Sequence, residues 1–195
     1  MAETLKTIKE RRSCRNFKPD MVSKELLDKV LEAGTWAPTG MGMQSPIIIA
    51  VTNKELRDKL SKMNAEIMGS KADPFYGAPV VLVVLADKNK STHVYDGSLV
   101  MGNLMLAAAD LGLGSCWIHR AKEEFESEEG KGILKSLGIE GDYEGVGHCV
   151  LGYAAALRES LRNGRLPIFI TRNNFQVPFP CKMLYNIDKN NWKGE

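Results

Sequence analysis

The chain has 195 residues, 44% of them hydrophobic, with 26 Lys and Arg against 24 Asp and Glu. That composition excludes a disordered chain, and the near-neutral charge excludes broad nucleic-acid binding, which needs a basic surface. The length suits one domain, no apolar run reaches the ~20 residues of a membrane-spanning helix, and "MAETLKTIKERR" is no secretory signal, so a cytoplasmic protein is expected.

Residues 3–12 have helical spacing, with Leu5 and Ile8 on one face and Lys6, Lys9 and Glu10 on the other. Ser23 suits the N-cap of a second helix, whose stripe is Leu26, Leu27, Val30 and Leu31 and which ends near Gly34. "APTGMGMQSP" is a loop, and the β-branched run at 47–52 is a buried strand. Residues 53–68 return to helical spacing. "GSKADPFYGAP" is a loop before a second buried strand at 80–86. Residues 96–111 are apolar almost all round, which predicts a central, buried helix. "GLGSCWI" leads into a short strand, 121–137 form a charged helix, and 146–154 form a last strand. The tail contains prolines and aromatics without helical period.

This order predicts an α+β fold, a sheet with helices on its faces. No G-x-G-x-x-G turn follows the first strand, which argues against a dinucleotide-binding Rossmann domain. Cys14, Cys116, Cys149 and Cys181 are far apart, as are His93, His119 and His148, so no metal site is expected.

Arg11, Arg12 and Arg15 crowd into "ERRSCR" beside Ser13. Helical spacing would place Arg11 and Arg15 on one face. Guanidinium forks bind phosphate oxygens in pairs. Cations at a helix C-terminus also offset its dipole, and these residues alone leave both readings open. A second basic stretch, "LRESLRNGRLPIFITR", carries Arg158, Arg162, Arg165 and Arg172. In "APTGMGMQSP", Thr39 and Gln44 offer polar groups, and Gly40 and Gly42 allow close backbone approach.

Four segments together resemble the FMN-dependent nitroreductase family: "ERRSCRNF", "APTGMGMQSP", "DLGLGSCWIH", and "VLGYA" followed by "NGRLP". The resemblance implies a nitroreductase-like α+β fold, with a central mixed, mainly antiparallel sheet flanked by helices, in an intertwined homodimer. Residues 1–172 would form the FMN-binding domain, and 173–195 an extended arm on the partner subunit. It implies FMN as cofactor, its phosphate and ring edge held by Arg11, Arg12, Ser13 and Arg15 together with Arg165. Pro38, Thr39, Gly40 and Gln44 would cover the flavin from the partner subunit. Trp117, Ile118 and His119 would face the isoalloxazine, and Asn64 would touch the ring. Phe75 and Tyr76 are candidates for the wall of the substrate pocket. The chemistry would lie on flavin N5, with no catalytic side chain and no metal. NAD(P)H would supply hydride, and a nitroaromatic or quinone-type acceptor would receive electrons in a ping-pong cycle. Two departures stand out: Gly42 replaces a common Asn, and His119 occupies a variable position. Other readings are reductive dehalogenation or flavin fragmentation on the same scaffold, or a non-enzymatic flavin binder.

Overall fold

The computed structural model describes residues 3–155. In chain order the elements are α1 (Glu3–Glu10), α2 (Lys24–Thr35), β1 (Pro46–Val51), α3 (Lys54–Ile67), β2 (Val80–Asp87), α4 (His93–Asp110), β3 (Gly114–Ile118), α5 (Ala121–Glu126), α6 (Glu128–Ser136) and β4 (Tyr143–Gly152). The strands form one sheet in the order β1-β2-β4-β3. Every neighbouring pair of strands is antiparallel. The parallel pairing expected in a mixed sheet is confined, among the described residues, to an isolated bridge between Ser13 and Ser115.

Strand β2 explains the layering. From Val80 to Ala86 it has no exposed surface. Side chains alternate across a strand, so such a run needs cover on both faces. Val81, Val83 and Leu85 join one core with Leu60, Met63, Phe125 and Ile133 of α3, α5 and α6. Val80, Leu82, Val84 and Ala86 join another with Leu27 and Val30 of α2 and Val100, Met101 and Leu104 of α4.

Helix starts follow capping chemistry. Asn53 Oδ1 accepts from the Leu56 amide at 2.9 Å, and Ser23 Oγ from the Leu26 amide at 3.4 Å. The helix expected across 121–137 is broken. Ser127 is extended, with φ −69° and ψ 157°; it ends α5, and its Oγ caps α6 by accepting from the Gly130 amide at 3.0 Å. The capping hydroxyl offers the backbone an alternative to helix continuation. Helix α1 ends at Glu10, two residues before its expected end, and β4 starts at Tyr143, three before its expected start.

Helix α4 is buried on one face, not all round. Asp96, Gly97, Val100, Met101, Leu104 and Ala108 face inward. Tyr95 and Leu99 stand 73% and 47% exposed, Leu106 is half-buried, and no atom lies within 4 Å of a methyl placed on Gly102. Their spacing makes one stripe along the outer face. No helix among the described residues is long and apolar enough to cross a membrane.

The loop before β2 closes on Asp73. Its carboxylate accepts from Arg57 Nη2 at 2.5 Å, Ser61 Oγ at 2.6 Å, and the Phe75 and Gly77 amides at 2.9 and 2.7 Å. Arg57 Nε donates to the Ala78 carbonyl at 3.0 Å, and its guanidinium lies 5.4 Å from the Phe75 ring centre. Burial pushes the Asp73 carboxyl up, but these donors together hold it below 3.8. A lowered carboxyl pKa stabilises the fold fully above the unfolded value, and that share is lost as pH falls through the folded value. Asp73→Ala should therefore cost roughly 1.5–3 kcal/mol at pH 7, the worth of hydrogen bonds to a charged group. Denaturant melts at pH 7 and pH 3 check this: the gap between wild type and variant should narrow at pH 3.

Candidate functional site

The arginine segment is not helical, because α1 has ended at Glu10. Residues 13–18 run extended beside β3 and the end of β4. The Cys14 amide donates to the Ser115 carbonyl at 2.9 Å, and the Lys18 amide to the Tyr153 carbonyl at 2.8 Å. Phe17 is buried and bridges Ala154. Arg11 thus follows the end of α1 and Arg15 lies on the extended strap, so the two do not share a helix face. Both cations act on the buried Cys116 thiol, which burial pushes up and Arg15 and Arg11 pull down.

The two readings of the arginines divide between residues. Arg12 turns back on α1: Nη1 donates to the Lys9 carbonyl at 2.6 Å and the Arg11 carbonyl at 2.8 Å. Through Nη1 it compensates the helix end, and the side chain is otherwise exposed. Arg11 is half-buried, and its Nη1 is buried with no hydrogen-bond partner among the described residues. Arg15 and Ser13 are exposed beside it. Arg165 and the second basic stretch lie outside the described residues.

The loop 38–45 is tightly wound. Gly40–Gly42 form a single 3-10 turn, and Met41, Gly42 and Gln44 have φ of 53°, 67° and 48°. Positive φ in the non-glycine residues is costly and marks a held conformation. The Gln44 amide donates to Thr39 Oγ1 at 3.1 Å, while Pro38 and the Gln44 side chain are exposed. The tether of this loop is Asp96, which sequence reasoning missed: Oδ1 accepts from the Gly40 amide at 2.9 Å and Oδ2 from Ser45 Oγ at 3.0 Å. A lone acid in the first turn of an apolar helix was its signal.

At the end of β3, Trp117 is half-buried, Ile118 is 8% exposed and His119 is exposed. Asn64 is fully buried, and its Nδ2 donates to the His119 carbonyl at 2.8 Å. It thereby fixes the backbone at His119, and its Oδ1 is buried with no hydrogen-bond partner among the described residues. Phe75 is also fully buried, its ring centre 5.2 Å from that of His148, so it belongs to the core and not to a pocket wall. Tyr76 is 39% exposed, with φ 54°.

Within one subunit these pieces do not all meet. The arginine strap lies on β3, one edge of the sheet, and loop 38–45 feeds β1, the other edge. Three inter-strand gaps of ~4.8 Å, about 14 Å, separate the edges. Helix α4 links them. Asp96 near its start holds the loop, and Asp110 at its end accepts from Thr7 of α1 at 2.8 Å.

The sequence model of the Nitroreductase family matches residues 8–153. The FMN reductase [NAD(P)H] of Bacillus subtilis is 30% identical over 90% of this chain and 57% of its own length. A protein of Methanothermobacter thermautotrophicus whose name cites NAD(P)H nitroreductase is 32% identical over 59% of this chain and 60% of its own. The chain thus spans less than two thirds of these two relatives. A nitroreductase with bound FMN from Desulfitobacterium hafniense superposes with TM-score 0.73, at 30% identity, over 91% of this chain and 98% of that one. One from Bacteroides fragilis, also with bound FMN, gives 0.72 at 27% identity, over 91% and 99%. This chain belongs to the nitroreductase family.

Full burial pushes the Cys149 thiol up to about 12, so it stays protonated and unreactive at neutral pH. Half-buried Cys14 is the accessible thiol of the three described cysteines. Maleimide labelling at pH 8 with peptide mapping should mark Cys14 in the folded protein and Cys149 only after unfolding.

Proposed function

We propose that this member of the nitroreductase family is an FMN-dependent oxidoreductase. It takes reducing equivalents from NAD(P)H and passes two electrons to a nitroaromatic or quinone-type acceptor, acting as a homodimer. One observation carries the reading: a buried Arg11 Nη1, unpartnered among the described residues, beside a cationic strap on the sheet edge opposite a strained, exposed loop. A buried donor without an acceptor is costly, and a phosphate oxygen satisfies it. FMN, when bound, supplies the redox chemistry. The residues supply binding and orientation. Arg11, Arg15 and Ser13 hold the phosphate. Asn64 fixes the His119 carbonyl, and with it the backbone at the end of β3 that faces the ring.

The outer stripe of α4 supports the dimer. Tyr95, Leu99, Gly102 and Leu106 form an apolar seam with a glycine at its middle, where a second helix approaches closely. The helix is about 27 Å long, with the loop at one end and the strap's side at the other. Two copies packed antiparallel about a twofold axis near Gly102 bring each loop to the partner's arginine strap. The site is then completed across the interface, which is the role the resemblance assigns to Pro38, Thr39, Gly40 and Gln44. The reading places the protein in the cytoplasm. The arm at 173–195, assigned to the partner's surface, falls outside the described residues.

Two outcomes test this. Arg11→Ala and Arg15→Ala should each weaken FMN binding about 10- to 150-fold, the worth of ~1.5–3 kcal/mol per charged hydrogen bond, with riboflavin far less affected. Flavin fluorescence titration at fixed salt reads this, and unchanged FMN affinity in both variants refutes the clamp. Leu99→Glu should give a monomer in sedimentation and lose FMN with it. A monomer that retains FMN at wild-type affinity refutes the shared site.

A further inference from the structure

Asp96 is 2% exposed and lies in the first turn of α4, yet no Lys or Arg appears among its hydrogen-bond partners. Its acceptors are spent on three donors: the Gly40 amide at 2.9 Å, Ser45 Oγ at 3.0 Å and Thr92 Oγ1 at 3.0 Å. A carboxylate this deep is sustained only by such bonds. Burial pushes its carboxyl up, and the Gly40 amide, the Thr92 and Ser45 hydroxyls and nearby His93 outweigh that, so it stays ionised. Two of its donors, Gly40 and Ser45, bracket Met41, Gly42 and Gln44, the positive-φ residues of the loop. The loop has hydrogen bonds of its own, but strain of this kind persists only where the surroundings over-determine it. The seat is also close-fitting: a methyl on Gly40 would overlap the Thr92 side chain.

We propose that Asp96 is a positioning residue that holds loop 38–45 in the shape that covers the flavin, and ties that shape to the dimer helix. The inference rests on the FMN reading above. Its carboxylate fixes the Gly40 peptide at one end and Ser45 at the other, so the exposed tip between them is presented as one rigid piece. Tyr95 precedes Asp96 and Leu99 follows one turn on, both exposed on the outer stripe, so the residues of the proposed interface and the loop's tether share one helical turn. Loop position and subunit pairing are therefore coupled through Asp96.

The test compares the full-length wild type with Asp96→Ala, Asp96→Asn and Gly40→Ala. Asp96→Ala should weaken FMN binding about tenfold or more, equivalent to loss of one charged hydrogen bond. It should also alter the bound flavin's absorbance envelope and speed hydrogen exchange at the amides of 40–45, while β2 amides stay protected. Asp96→Asn should restore most of this, because Oδ1 still accepts from Gly40 while the Ser45 and Thr92 hydroxyls rotate to accept from Nδ2. Gly40→Ala keeps the carboxylate but lifts the loop off its seat, so it should reproduce the loss; Gly40→Ala with Thr92→Ala should recover part of it. Wild-type FMN affinity, flavin spectrum and exchange at 40–45 in Asp96→Ala overturn the proposal. If that variant does not fold, wild-type behaviour of Gly40→Ala overturns it instead. A wild type that binds no FMN refutes the cofactor reading alone, and the exchange at 40–45 still decides whether Asp96 holds the loop.

Discussion

Strand β2 has no polar face, and the rest of the fold answers that constraint. Its residues from Val80 to Ala86 are wholly removed from water, at a gain of about 1.5–3 kcal/mol for each large aliphatic side chain. No antiparallel strand of this kind survives at a sheet edge or beside solvent. It therefore sits inside, between β1 and β4, with α3, α5 and α6 over one face and α2 and α4 over the other. Edge positions fall to β1 and β3, and the arginine strap lies along β3. The spacing between the arginine strap and loop 38–45 is a consequence of where β2 must lie.

Buried polar groups then tie the covering helices to the sheet at particular points. Arg57 and Asp73 close the loop between α3 and β2. Glu124 of α5 meets His148 of β4 at 2.6 Å, both fully buried, with the Phe75 and Phe125 rings beside the imidazole. Asp96 of α4 holds the loop before β1. A buried polar group left without a partner is costly, so such contacts favour one arrangement of the elements they join. Specific polar ties thus add register to apolar layers that would otherwise slide.

The site draws on both kinds of constraint. Arg15 is carried by an extended strap whose backbone is spent on Ser115 and Tyr153, and Arg11 before it buries an Nη1 with no hydrogen-bond partner among the described residues. The loop that resembles the family's flavin cover depends on an acid 56 positions away in sequence. Helix α4 serves three roles at once: it covers β2, tethers the loop and presents the outer stripe. That is why its composition is apolar beyond what one buried face requires.

Local patterns in the chain were sufficient for the elements and for the family. Continuous β-branched and apolar runs marked the strands, and period-3.6 hydrophobicity most of the helices, because burial on two faces or on one helical stripe leaves those local patterns. The capping residue Ser23 marked a helix start for the same local reason, whereas the Asn53 cap emerged only in the structure. The break at Ser127 was hidden because a serine inside a charged run is neutral in propensity, and only the packing of α6 against α5 selects its capping conformation. Arg12 and Arg11 look alike in sequence, yet one bonds back to the end of α1 and the other buries an Nη1 that has no hydrogen-bond partner among the described residues. The burial of Phe75 and Asn64 and the tether at Asp96 were not legible in the sequence, because they depend on long-range contacts that neighbouring residues do not encode. The chemical kinds of group available were written in the sequence; which of them face a ligand, which face each other and which face the core was decided by the tertiary structure, since contacts between distant residues exist only once the sheet has brought them together.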